Sequence, residues 1–248
     1  MKKYLNKVTI TGASDDTSLQ DMLQIQKEYP FVEWGILLSA NLAGKSKRFP
    51  SFQWINELEQ FQNETNNSLK LSGHLCGTFV DRFLQKKITR FSPDSVISSL
   101  YSIITSNLFG RIQVNTHGEP HKYNQENLIY NINLNPNVEY ISQFDKINDY
   151  IFFLQQRNIE NISALYDLSH GAGVLPEKWD APLQNIKTGY AGGLSPENIK
   201  QQLDILENVV EDKIVWVDVE TMVRTDEYLD LEKTRKFLDG CVDHVITS

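Results

Sequence analysis

A recurring step constrains this chain more than any other feature. Short runs rich in Val, Ile, Tyr and Trp begin near Val8 (VTIT), Val32 (VEWGILL), Leu69 (LKLSGHL), Arg111 (RIQVNT), Val138 (VEYISQ), Ile162 (ISALYD), Thr188 (TGYAG) and Ile214 (IVWVDV). Branched and aromatic residues in short runs favour strands. The seven steps from the first run to the last average about 29 residues, the length of one strand–loop–helix–loop unit. Eight such units predict a single α/β domain spanning residues 1–248, a (β/α)8 or TIM barrel, a fold that needs about 250 residues.

The intervening segments carry helical periodicity. Residues 18–29 place Leu19, Met22, Leu23 and Ile25 on one face, and residues 51–64 do the same with Phe52, Ile55, Leu58 and Phe61. The longest step, from Leu69 to Arg111, holds two helical segments, near 78–87 and 93–107, which predicts a helical insertion after the third strand. Ser92-Pro93-Asp94 marks the start of the second of these, and Ser195-Pro196-Glu197-Asn198 is another helix start, with Ser195 as cap. The Asn-rich stretch 119–137 reads as one short helix, and 230–238 as the last.

Composition removes several classes of function. Apolar residues at 40% provide for a sizeable core, and 24 Lys plus Arg against 32 Asp plus Glu give a net charge of −8. An acidic chain is poorly suited to duplex nucleic acid or an anionic membrane surface, so the expected partner is a small molecule. No apolar run approaches the roughly 20 residues of a membrane helix, and the charged start Met1 to Lys7 leads into no signal-like stretch. Cys76 and Cys241 belong to no CxxC pair or zinc spacing, so free thiols and a cytoplasmic location are expected. Composition gives no indication of oligomeric state.

In a barrel of this kind the chemistry lies at the C-terminal strand ends. Read in order, those ends carry a set of motifs: Val8-Thr9-Ile10-Thr11-Gly12, Lys45-Ser46-Lys47-Arg48-Phe49, Gln113 to Gly118, Leu165-Tyr166-Asp167 followed by Gly171-Ala172-Gly173 and Trp179-Asp180, then Ala191-Gly192-Gly193-Leu194-Ser195-Pro196-Glu197-Asn198, and Val217-Asp218-Val219. The series resembles the phosphoribosylanthranilate isomerase family over nearly the whole chain, and the segment from Ala191 to Asn198 is the most specific match. The resemblance implies an Amadori rearrangement of a phosphosugar adduct, aldose to ketose, without a cofactor. It implies Asp167 as general acid and Arg48 as the receptor of the substrate's aromatic carboxylate. Two departures stand out. The family's base cysteine aligns with Thr11, and its phosphate-holding Ser-Ser-Gly aligns with Glu220-Thr221-Met222.

An unactivated hydroxyl is a very poor proton acceptor. Thr11 therefore marks the catalytic position without supplying the base, which has to come from His74, His117, Asp218 or Glu220. Gln113, Asn115 and His170, with Asp218, Glu220 and Arg48, make up the candidate substrate-binding set. Gly192 and Gly193, ahead of a helix start, form a candidate phosphate cradle, with Thr221 or Arg224 offsetting Glu220. Each residue also has a plain structural reading: Asp167 as a strand-end cap, Arg48 as a solvated loop cation, the glycines as a tight turn, and Trp34, Trp54, Trp179 and Trp216 as packing. In this reading the site holds no metal ligands. Two other functions stay open at this point. One is a divergent barrel enzyme, a metal-assisted epimerase or lyase drawing ligands from His74, His117, His170, Asp167, Asp218 and Glu220. The other is a non-catalytic phosphosugar-binding protein.

Overall fold

The computed structural model describes residues 2–145, 147–167 and 173–246. Eight parallel strands close into a barrel in sequence order. They are β1 (Leu5–Thr11), β2 (Val32–Ser39), β3 (Leu71–Cys76), β4 (Arg111–Val114), β5 (Glu139–Phe144), β6 (Ile162–Asp167), β7 (Lys187–Ala191) and β8 (Val215–Val219). Every strand lies where the sequence places one. Pairing of β1 with β8, Val8 opposite Val217, closes the ring.

Helices α1 (Leu19–Glu28) and α2 (Phe52–Glu64) start where Ser18 and Ser51 accept backbone hydrogen bonds from Asp21 and Trp54. Such caps satisfy amide groups that the first turn leaves without partners. The insertion after β3 is α3 (Thr78–Gln85) and α4 (Ser95–Thr105), packed on each other. The cap of α4 is Asp94, which accepts from Val96 N and from Arg82 Nε at 2.7 Å, tying the two helices together. α5 (Gln125–Asn133) and α6 (Tyr150–Gln156) follow β4 and β5. Among the described residues no helix lies between β6 and β7. Pro176 and Pro182 break that stretch, and aromatic side chains anchor it instead: the Tyr166 hydroxyl donates to Ala181 O, the Tyr190 hydroxyl to Asp180 O, and Trp179 packs edge-on against Tyr190.

After β7 the structure corrects one expected boundary. Residues 196–198 form a turn, and α7 (Ile199–Val210) begins later, with Asn198 at the cap position. β8 leads through a short 3-10 turn into the hairpin β9 (Arg224–Thr225) and β10 (Tyr228–Leu229), then α8 (Leu231–Cys241). No described helix is long and apolar enough to cross a membrane.

Alternate strand residues point to opposite sides of a barrel wall. The outward set, among them Ile10, Trp34, Leu75 and Val114, joins Met22, Leu58, Phe79 and Leu128 of the helices in one buried core. The inward set forms layers. At the N-terminal end, Arg111 donates to Glu33 Oε1 at 2.8 Å and to Glu139 Oε1 at 3.1 Å. Thr9 and Ser163 hydroxyls donate to the same two carboxylates, and Lys187 reaches Glu139 at 3.3 Å. Above this ionic layer, Ile141, Leu165 and Trp216 form a small apolar plug. Gly189 makes room for it, since a Cβ there would stand 2.1 Å from the Trp216 ring. The Arg111 guanidinium lies 4.1 Å from the Trp216 ring centroid, a cation–π contact across the boundary between the layers.

Candidate active site at the barrel mouth

Above the plug, the strands end in a polar pocket of about 550 Å³ counted out to its open mouth. Thr11, His74, Gln113, Asn115, His117, Gln143, Asp167, Gly192, Gly193, Asp218, Glu220 and Thr221 all line it. The structure thus gathers most of the residues singled out from the sequence. His170 lies outside the described residues, and Arg48 and Arg224 stand at the rim, engaged with Glu220.

Asp218 is at the centre of the β8–β1 side. Its Oδ1 accepts the Thr11 hydroxyl at 2.8 Å, and its Oδ2 stands 4.0 Å from His74 Nε2. Burial pushes the Asp218 carboxyl up to about 8; the Thr11 hydrogen bond opposes that rise, and the nearby Glu220 and Asp167 carboxylates add to it. His74 is fully enclosed. Burial, and secondarily the Arg111 cation below, lower it to about 3, so its imidazole is neutral. His74 Nε2 has no hydrogen-bond partner among the described residues. Gly35 makes this grouping sterically feasible, because a Cβ there would stand 2.2 Å from Thr11 Oγ1 and 2.9 Å from His74 Cε1. At neutral pH the group beside Thr11 is therefore a protonated carboxyl next to an unpartnered imidazole nitrogen.

Asp167 ends β6 on the opposite side of the β7 strand. The register runs from Asp167 to Ala191 to Asp218, two strand spacings, or about 10 Å. Gln143 orients Asp167, donating from Nε2 to its Oδ2 at 2.8 Å, while its own Oε1 accepts from His117 N at 2.7 Å. His117 takes positive φ (49°) to make that bond. Gln113 donates to Asn115 Oδ1 at 2.7 Å, and Asn115 donates to Cys76 Sγ at 3.5 Å. Burial pushes the Cys76 thiol up to about 12, so it is no nucleophile. Sequence reasoning left Gln143, Gly35 and Cys76 out of the site. Counting in twos from Ser39 on β2, from Cys76 on β3 and from Glu139 on β5 would have placed all three on the inner wall.

The candidate anion-binding elements are largely engaged. Glu220 accepts from Arg48 Nε at 2.8 Å and from its Nη2, and Arg224 Nη2 lies 3.8 Å from the same oxygen. Arg224 also donates to Gly12 O and Glu227 O. In the turn before α7, Ser195 N donates to Asn198 Oδ1, while Glu197 N and Asn198 N donate to Ser195 Oγ. Those bonds leave the Gly192-Gly193-Leu194 stretch as the part of the cradle whose amides they do not occupy. Gly193 (φ 63°) has a packing role as well, since a Cβ there would stand 2.2 Å from Leu175 N.

No known family model matches the chain, and no curated protein sequence matches it. Solved structures do. N-(5'-phosphoribosyl)anthranilate isomerase from Pyrococcus furiosus is 15% identical over 96% of this chain and 98% of its own, with a TM-score of 0.54. A fungal endo-beta-N-acetylglucosaminidase of glycosyl hydrolase family 18 is 10% identical over 95% and 97%, with a TM-score of 0.52. Likeness at that identity establishes the barrel fold, and barrels of this type carry many chemistries.

Proposed function

We propose that this protein is an isomerase of a small phosphosugar adduct, working by proton transfer at the barrel mouth as an aldose–ketose (Amadori) rearrangement. The observation that carries the proposal is Asp218. Its carboxyl sits 2.8 Å from Thr11, at the strand end where the resemblance calls for a base, and it holds its proton up to about pH 8. In the proposed reaction Asp167 gives a proton to the sugar ring oxygen and the C1–O bond opens to an iminium. Ionised Asp218 then takes the C2 proton, the C1–N double bond becomes single as C1=C2 forms, and the enolamine tautomerises to the aminoketose. Gln143 keeps the Asp167 carboxyl group aimed into the pocket, and the neutral His74 Nε2 stands 4.0 Å from the Asp218 carboxyl without competing for its proton. Gly192 and Gly193 would receive the substrate phosphate on backbone amides, with Thr221 beside them.

The test uses N-(5'-phosphoribosyl)anthranilate and the purified chain. Turnover is expected, with kcat/KM rising as pH passes through about 8 because only ionised Asp218 is a base. Asp167→Asn should lower kcat by about 100- to 10,000-fold, the usual contribution of general acid–base assistance. Thr11→Cys should raise the rate, since a cysteine adds thiolate at that position. If wild type and Thr11→Cys both bind the compound and neither turns it over, the isomerase proposal is wrong.

A further inference from the structure

Away from the mouth, α7 carries Asp204 and Glu207 three residues apart and so on one face. The 3-10 turn Val242–His244, which follows α8, points His244 at them. His244 is fully buried, and neither ring nitrogen has a hydrogen-bond partner among the described residues. Its Nε2 stands 3.4 Å from Asp204 Oδ1 and its Nδ1 3.9 Å from Glu207 Oε2. One ligand atom from each residue can be chosen so that all lie within 4.8 Å of one another.

A wholly buried imidazole with both nitrogens unsatisfied destabilises a fold unless something fills the position. Two exposed or half-exposed carboxylates facing it make a lone core histidine an incomplete explanation. Zinc bound at about 2.0–2.2 Å by tetrahedral nitrogen and oxygen ligands sets neighbouring ligand atoms about 3.4 Å apart. The Asp204–His244 pair already has that spacing, and a Glu207 oxygen lies within 4.8 Å of a ligand atom from each of the other two. One nitrogen with two carboxylate oxygens is a zinc-type donor set, whereas magnesium and calcium favour oxygen alone. Asp204 is more than half exposed, which leaves an entry path and room for a water as fourth ligand.

We propose that Asp204, Glu207 and His244 form a zinc site that clasps α7 to the chain's last turn. The clasp would extend to β1, because Tyr4 N donates to His244 O and Ile246 N donates to Leu5 O. The ion would be structural, on the side of the fold away from the isomerase pocket, and independent of the chemistry there.

The test is zinc titration of protein stripped with chelator, read by calorimetry and by thermal melting. One zinc per chain and a raised melting temperature are expected. Asp204→Asn combined with Glu207→Gln, both at solvent-accessible positions, should abolish the stoichiometric uptake and the thermal shift, and either single substitution should weaken binding at least tenfold. Cobalt in place of zinc should give the visible absorption of a tetrahedral site in wild type and not in the double variant. Asp167→Asn with His117→Ala, at the mouth, should leave zinc binding unchanged. The proposal is overturned if wild type takes up no zinc, if the double variant binds it as tightly, or if the mouth variant loses it.

Discussion

Replacing Asp218 by Asn should stabilise the protein while removing its proposed activity, and the size of the effect should depend on pH in a defined way. In the unfolded chain the carboxyl ionises near its ordinary value of 3.8, whereas in the fold it keeps its proton to about 8. Below about pH 4 the group is neutral in both states and costs nothing. Between about 4 and 8 only the folded state holds the proton, so rising pH draws the equilibrium toward the unfolded chain. Above about 8 both forms are ionised and the cost levels off. At about 1.4 kcal/mol per pH unit over roughly three units, burial of this carboxyl costs about 4 kcal/mol by pH 7. Asparagine cannot ionise, its Oδ1 can still accept the Thr11 hydroxyl, and its amide faces His74 Nε2. Urea denaturation of both proteins at pH 5, 7 and 9 isolates the effect, because titrations not coupled to Asp218 cancel in the difference. The advantage of Asn should be small at pH 5, several kcal/mol at pH 7 and largest at pH 9. A constant difference across that range, or an Asn variant weaker at pH 9, would refute the reasoning that Asp218 is a high-pKa carboxyl. Stability gained together with activity lost is the pattern expected of a residue kept for chemistry.

Glu220→Gln should release Arg48 and Arg224 from the carboxylate that now occupies them and raise affinity for inorganic phosphate at least tenfold, about 1.4 kcal/mol, by calorimetry; unchanged affinity would show that the arginines do not serve as an anion seat. Arg111→Leu leaves Glu33 and Glu139 buried beside each other's network with their strongest partner gone, and should cost about 3–5 kcal/mol in chemical denaturation. A loss below about 1 kcal/mol would mean that Lys7 and Lys187 suffice to hold the layer.

The barrel was readable because each strand is a short β-branched run at a steady interval, and because the barrel buries both faces of its wall. The departures from regular alternation were less visible. Ser195-Pro196-Glu197-Asn198 has the composition of a helix start, but Ser195 and Asn198 spend their side chains on each other's backbone in a turn, which delays the helix to Ile199. The lack of a helix among the described residues between β6 and β7 follows from prolines whose effect depends on Tyr166, Tyr190 and Trp179 holding the segment down. Within the site, Asp167, Thr11 and Asp218 were found because they sit at strand ends. The pairing of Arg48 with Glu220 joins positions 172 apart, and no local pattern encodes it. Gly35 was missed for a related reason: its importance lies in the space it leaves for Thr11 and His74, and an absent side chain leaves no pattern in the sequence.

The contact between Arg111 and Trp216 gives the barrel a lengthwise polarity. The guanidinium is fixed under the single apolar layer that floors the pocket, and its charge lowers the basicity of His74 on the other side. The closed end of the barrel thus acts as a gate electrode for the open end: it biases the proton affinity of groups at the mouth without meeting anything bound there. Swapping or weakening that cation would relax the smaller of the two influences that keep the His74 imidazole neutral, burial being the larger, while leaving every group that meets the substrate in place. A substitution in the N-terminal layer can therefore reach His74 electrostatically, out of reach of the substrate, and leave the lining of the pocket unchanged.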